Sequence, residues 1–189
     1  KKDGEVPRPF RKVSVPEDGR RVLFFFDYAC PFCARYHGPL KGWAATVPKP
    51  VQTMFVPVVN LADLARRREQ VIAARCFYAA MAVGTRAQVA AMSNVIYEDF
   101  QSVRDLTDKG MWKKAIAAAG ISAERFASAL SSKTLDTQVE YAARKTAQYE
   151  LRATPSVAVG GRYVMTPDDV LGDERMFFNI LNGLTSEIL

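Results

Sequence analysis

The chain has 189 residues, 49% of them hydrophobic, enough to bury the core of one domain, or of one domain carrying an insertion, without disulfide staples. Its formal charge of +6 is spread along the chain, and the one run of three, Arg66-Arg67-Arg68, reads as a solvated helix face instead of a nucleic-acid footprint. Three cysteines are too few for a secreted disulfide scaffold, and no segment approaches the roughly 20 consecutive apolar residues that cross a bilayer.

In chain order, residues 10–15 and 21–26 read as strands, Pro31 opens a helix running towards Val47, and residues 51–59 form a further strand, a βαβ beginning. Gly38-Pro39 is expected to kink or briefly interrupt that helix. From about residue 61 to 150 alanine becomes frequent and β-branched runs vanish. Four or five helices are expected there, separated by Gly84, Gly110 and Gly120, with Ser122 and Glu124 marking one helix start. Residues 156–159 and 162–165 flank Gly160-Gly161 as a hairpin. A last helix is expected over 167–188, with Met176, Phe177, Ile180, Leu181, Leu184 and Ile188 on one stripe. The order is therefore βαβ, a helical block, then ββα. Lys1-Lys2-Asp3-Gly4 lacks an apolar signal core, which leaves export open.

Cys30-Pro31-Phe32-Cys33 lies between the apolar strand and the helix start. Pro suits the first helical turn, where its missing N–H costs nothing. Cys30 then stands at the N-cap edge and Cys33 one turn along, so the two sulfurs can close a small ring. Unpaired N–H groups and the helix dipole stabilise negative charge on Cys30, while Cys33 is expected to be more buried and less acidic. Cys30 is thus the candidate nucleophile or attacked sulfur, and Cys33 its resolving partner. Each unit by which the Cys30 pKa lies below ambient pH favours the reduced form by about 1.4 kcal/mol, or about 30 mV for this couple.

With the stretches FFFDYACPFC (24–33), ARYHGPLKGW (34–43) and ATPSVAVGGRY (153–163), the chain resembles the DsbA family of bacterial thiol:disulfide oxidoreductases. The resemblance implies an α/β fold, a thioredoxin fold interrupted by an all-helical insertion. Its first half would be 1–61, the insertion 62–150 and the second half 151–189. It implies a cis peptide at Thr154-Pro155, where Thr154 would offer backbone hydrogen bonds to an extended substrate and Pro155 would keep the site close to the disulfide and free of metal. It also implies a periplasmic dithiol oxidase acting on unfolded or reduced exported proteins, with no cofactor beyond the Cys30–Cys33 disulfide and a DsbB-like membrane quinone reductase as reoxidant. A monomer is expected; isomerases of this fold are typically dimers with a separate dimerisation segment, and no such segment is visible ahead of the first strand.

Two positions depart from the family pattern. Phe32 stands where His is common, and Phe24 stands six residues before Cys30 where thioredoxin-like enzymes often bury an acid. Loss of the His should raise the Cys30 pKa and loss of the acid should lower it, so the reduction potential stays open. Phe24 reads as core; Phe32 is expected to face solvent and offer an apolar contact to unfolded chains.

A reductase or isomerase of the same fold, and a peptide-binding or chaperone module, are the competing functions. A structural metal is disfavoured, since the chain offers two close thiols, His37 and a distant Cys76. Cys76 reads as a small buried hydrophobe. His37, one turn past Cys33, could bring positive charge to the site, although a core-edge imidazole is the simpler account. Trp43, Trp112 and the methionines read as core, with Met165 and Val170 candidates for bordering a peptide groove.

Overall fold

The computed structural model describes residues 8–189. A five-stranded mixed sheet has the order β1-β5-β4-β2-β3, formed by β1 (Arg11–Lys12), β2 (Arg21–Phe26), β3 (Gln52–Pro57), β4 (Ser156–Val159) and β5 (Tyr163–Met165). β2 pairs parallel with β3 and antiparallel with β4, so it is an interior strand of the sheet. Its continuous apolar run follows from burial on both faces. Val22 and Phe24 point into one core and Leu23 and Phe25 into another.

The first face is covered by α1 (Pro31–Ala44) and α7 (Glu174–Ser186). Tyr36 and Leu40 of α1 meet Phe177, Leu181 and Leu184 of α7 over Val22, Phe24 and Val157. Between β3 and β4 lie α2 (Arg67–Val83), α3 (Arg86–Val103), α4 (Lys109–Ala118), α5 (Ala123–Leu130) and α6 (Thr134–Gln148). These helices have a core of their own, including Phe77, Met92, Ile96 and Trp112, into which Phe26, Tyr28 and Cys33 reach. Two of them also cover the second sheet face, where Ala74 of α2 and Ala142 of α6 pack with Leu23 and Phe25.

Most expected elements appear, with local differences. β1 is short, although Val13 and Val15 still donate to Arg162 and Gly161 carbonyls at 2.8 Å each. Gly161 has φ +63° and a Cβ there would run into the Val15 carbonyl, so this hairpin turn needs glycine on both counts. α1 passes through Pro39 without interruption; Pro39 withholds an N–H from the Arg35 carbonyl, and Arg35 is exposed, where solvent can replace it. Gly110 does not separate helices but lies in the first turn of α4, which starts because the Asp108 side chain accepts the Met111 N–H at 2.6 Å. Gly84 and Gly120 do sit at helix ends, and Ser122 caps α5.

The expected helix over 167–188 is two pieces. A 3-10 turn, Pro167–Val170, ends at Leu171 and Gly172, both left-handed, and Asp173 then caps α7 through the Met176 N–H at 2.9 Å. Within α7, Met176 lies in the first turn at the edge of the stripe and is exposed, while Phe177, Leu181, Leu184 and Ile188 are buried. Met54 and Met81 are likewise exposed, contrary to their expected core places.

A buried polar cluster ties the N-terminal turn to α6. Asp18 is wholly buried and accepts from Lys145 Nζ at 2.7 Å, Tyr149 Oη at 2.8 Å and Arg21 Nη1 at 3.1 Å; Lys145 also reaches Glu17 at 3.2 Å. β3, at the sheet edge, starts after Pro50 and ends on Pro57. Among the described residues, no helix is long and apolar enough to cross a membrane.

Candidate active site

The end of β2 and the start of α1 deliver the cysteines. Asp27, Tyr28 and Ala29 form the connecting turn, closed by the Cys30 N–H on the Asp27 carbonyl at 3.0 Å. Cys30 is the N-cap of α1 with extended backbone, Pro31 is the first helical residue, and Phe32 and Cys33 follow in the first turn. Cys30, Cys33 and Cys76 are free thiols in this structure.

Cys30 is half-buried, and its thiol donates to the Thr154 carbonyl at 3.2 Å. Its pKa is lowered from 9.0 to about 6. The Cys33 side chain, hydrogen-bonding to the Cys30 sulfur, is the largest cause. Burial works against the shift, and the Thr154 side chain and the Cys33 and Phe32 N–H groups add to it. Those two N–H groups are the unpaired donors of the helix start. Cys33 is 2% exposed and accepts the Asp27 N–H at 3.4 Å. Burial first, and then the neighbouring Cys30, push its thiol far above the ordinary range. The two sulfurs are therefore opposite in character: one is a thiolate near neutral pH and the other stays protonated.

Thr154-Pro155, 124 positions beyond Cys30, stands against it through that carbonyl, and the peptide bond is cis. Phe32 is 55% exposed beside the thiols. Phe24 is core, stacked on Phe55 at 4.8 Å and edge-on to Trp43 at 5.9 Å. His37 packs between Phe55 and Tyr97, and burial, then Lys41, lowers its pKa; it brings no positive charge to the thiols near neutral pH. Cys76 is buried on α2, with its thiol pushed up to about 12 by burial. Met165 and Val170 do not border a groove: both are buried with Phe177 in the α1–α7 core. Among the described residues no cluster of three or more His, Cys, Asp or Glu is arranged to hold a metal ion.

Sequence reasoning missed Asp27 and Arg66. Asp27 is 8% exposed, and Arg66 forks onto its two oxygens at 2.7 and 3.2 Å. The only local signal was an acid three residues before Cys30 in an otherwise apolar stretch.

Comparison with known proteins agrees with this fold. A family model described as a DSBA-like thioredoxin domain matches residues 66–179, a span that includes Arg66 and Thr154-Pro155 and begins after the two cysteines. The thiol:disulfide interchange protein DsbA of Bordetella pertussis is 28% identical over 146 residues, which are 77% of this chain and 66%, just under two thirds, of that relative. The structure of Pseudomonas aeruginosa DsbA superposes with a TM-score of 0.77 at 18% identity, covering 95% of this chain and 91% of that one. Proteus mirabilis DsbA, solved with the non-covalently bound peptide PWATCDS, gives 0.75 at 18% identity over 97% and 99% of the two chains. With the family model matched over more than half its length, this chain belongs to the DsbA-like thioredoxin domain family.

Proposed function

We propose that the protein is a thiol:disulfide oxidoreductase that works as a dithiol oxidase on unfolded or reduced exported proteins. The observation that carries the reading is the asymmetry of the pair: Cys30, at the helix start, has its pKa lowered to about 6, whereas burial holds Cys33 protonated. A thiol whose pKa lies well below ambient pH favours the reduced pair, and so makes the disulfide oxidising.

In the oxidised enzyme a substrate thiolate attacks Cys30 Sγ, the Cys30–Cys33 bond breaks, and Cys33 leaves with the bonding electrons and takes a proton. A second substrate thiolate then attacks the substrate-side sulfur of the mixed disulfide, expelling Cys30 as a thiolate. The substrate has lost two electrons and two protons, and the pair has been reduced. Half-exposed Cys30 can be reached, whereas Cys33 cannot. Exposed Phe32 supplies apolar contact, and Thr154 supplies the main-chain partner for an extended peptide beside Cys30. The bound peptide of the Proteus mirabilis relative supports that choice of substrate class. Family membership supports a periplasmic location and reoxidation by a DsbB-like membrane quinone reductase.

The test equilibrates the pair in glutathione buffers and compares thermal unfolding of the two redox forms. The reading expects the reduced form to be the more stable, with exchange abolished in Cys30→Ser. A more stable disulfide form, with a potential near that of a cytosolic reductant, points to a reductase and overturns the oxidase direction. Peptide binding without turnover in the unmodified protein, retained in Cys30→Ser, points to a binding module instead.

A further inference from the structure

The Arg66-Arg67-Arg68 run is not one solvated face. Arg67 and Arg68 are exposed, but Arg66 turns back from the start of α2 onto Asp27. The contact is bidentate, Nη1 to Oδ2 at 2.7 Å and Nη2 to Oδ1 at 3.2 Å, the geometry in which Arg holds a carboxylate most specifically. Asp27 in turn holds the thiol turn. Its N–H donates to Cys33 Sγ at 3.4 Å, its carbonyl accepts the Cys30 N–H at 3.0 Å, and its Oδ1 accepts the Ala29 N–H at 2.9 Å. Gln70 Nε2, 3.4 Å from Oδ2, adds a second tie to α2.

We infer that Asp27 and Arg66 are a positioning pair for thiol exchange, locking the turn that carries Cys30 onto the first helix of the insertion and neutralising a buried carboxylate that would oppose the Cys30 thiolate. The inference rests on Cys30 being the exchanging thiol. Main-chain bonds from one residue set where both cysteines sit, and its side chain anchors that residue across 39 positions of sequence. The anchor also has a sign. An unpaired carboxylate in this turn disfavours a second negative charge nearby, whereas a paired one is nearly silent. Other ionisable groups around the turn do not supply the balance. Tyr28 and Tyr97 are held protonated by burial, and His37 is pushed down by it. Glu69, 4.0 Å from Arg66 Nη2, and Asp63, which accepts the Arg66 N–H at 3.2 Å, carry negative charge towards the same guanidinium.

The experiment measures the Cys30 pKa of the reduced full chain from ultraviolet thiolate absorbance, a readout independent of any substrate. Arg66→Gln is expected to raise that pKa by about one unit, roughly a tenfold loss of thiolate well below it. Adding Asp27→Asn to Arg66→Gln should return the pKa to the starting value, and Arg66→Lys should keep most of it. Arg67→Gln removes one charge from the same run and should shift nothing. If Arg66→Gln does not fold, Asp27→Asn alone decides: a fall in pKa supports the pairing, and an unchanged or raised value overturns it. An unshifted pKa in Arg66→Gln, with both redox forms equally destabilised, reduces the pair to a structural contact and overturns the inference. A starting protein that exchanges with glutathione but is more stable as the disulfide, with the variants' shifts still present, counts against the oxidase direction and leaves the positioning pair standing; a starting protein that does not exchange at all overturns both.

Discussion

Two buried ion pairs join the N-terminal part of the sheet to the helices inserted in it. Asp18 meets Lys145 near the end of α6, and Asp27 meets Arg66 at the start of α2. Both acids lie in turns next to β2, and both partners come from the helical block. The Asp18 pair is almost wholly enclosed and has Tyr149 and Arg21 as further partners. At the Asp27 pair the Arg66 side chain remains 37% exposed, and the main chain of Asp27 touches the cysteines. The same pairing chemistry therefore serves cohesion at one site and the setting of a sulfur at the other. Proximity to the thiols, not depth, separates them.

Breaking the deeper pair should give the largest change in stability. Asp18→Ala leaves Lys145 buried with only Glu17 as ionic partner, and a loss of about 3–5 kcal/mol is expected in chemical denaturation, equal in oxidised and reduced protein. A Cys30 pKa that moved as far in Asp18→Ala as in Asp27→Asn would erase the contrast.

The second prediction concerns pH. The folded pKa of Cys30 lies below the ordinary 9.0, so its contribution to the reduced form is fully present above pH 9 and is lost as pH falls through about 6. Cys33 is shifted the other way and titrates above that window. The melting temperature of the reduced form relative to the oxidised form should therefore fall as pH is lowered from 9 through 6, measured by calorimetry on both forms. A gap independent of pH would mean that Cys30 is not the shifted group.

A smaller effect calibrates the helical block away from both pairs. Thr85 and Gln88 form a reciprocal cap at the start of α3, with bonds of 3.2 and 2.9 Å. Thr85→Ala should cost about 1 kcal/mol in thermal or chemical unfolding, with no change in redox behaviour. Smallest in stability is Phe32→Ser, expected within about 0.5 kcal/mol of the parent because the ring is already in solvent. Its signature should be slower oxidation of reduced peptides, and unchanged rates for every peptide tried would remove Phe32 from the substrate surface.

What the sequence made legible was local. The apolar run of β2, the CPFC at the helix start and the two glycines between β4 and β5 each act within a few residues, and each is found where expected. Thr154-Pro155 was placed at the site by family likeness, not by any local pattern. The break at Leu171-Gly172 lies ahead of the apolar stripe, which begins only at Met176, so the stripe says nothing about where the helix starts. Gly172 and the Asp173 cap were the signals that placed its start. The two ion pairs were not legible at all. Asp27 and Arg66 are 39 positions apart, Asp18 and Lys145 are 127, and nothing in composition or periodicity says which charge turns inward.

The edge strand β3 has a consequence for the proposed handling of unfolded chains. Gln52 and Val58 donate inward to Arg20 and Phe26 carbonyls, so by the alternation of a parallel ladder the N–H groups of Thr53 and Phe55, and the nitrogen of Pro57, face away from the sheet. Pro57 has no hydrogen to give, which leaves two outward donors in the whole strand. A client polypeptide lying against this border finds too short a template for growth into an intermolecular sheet. The proposed function would thus bring extended chains to a flank that offers them few donors to pair with.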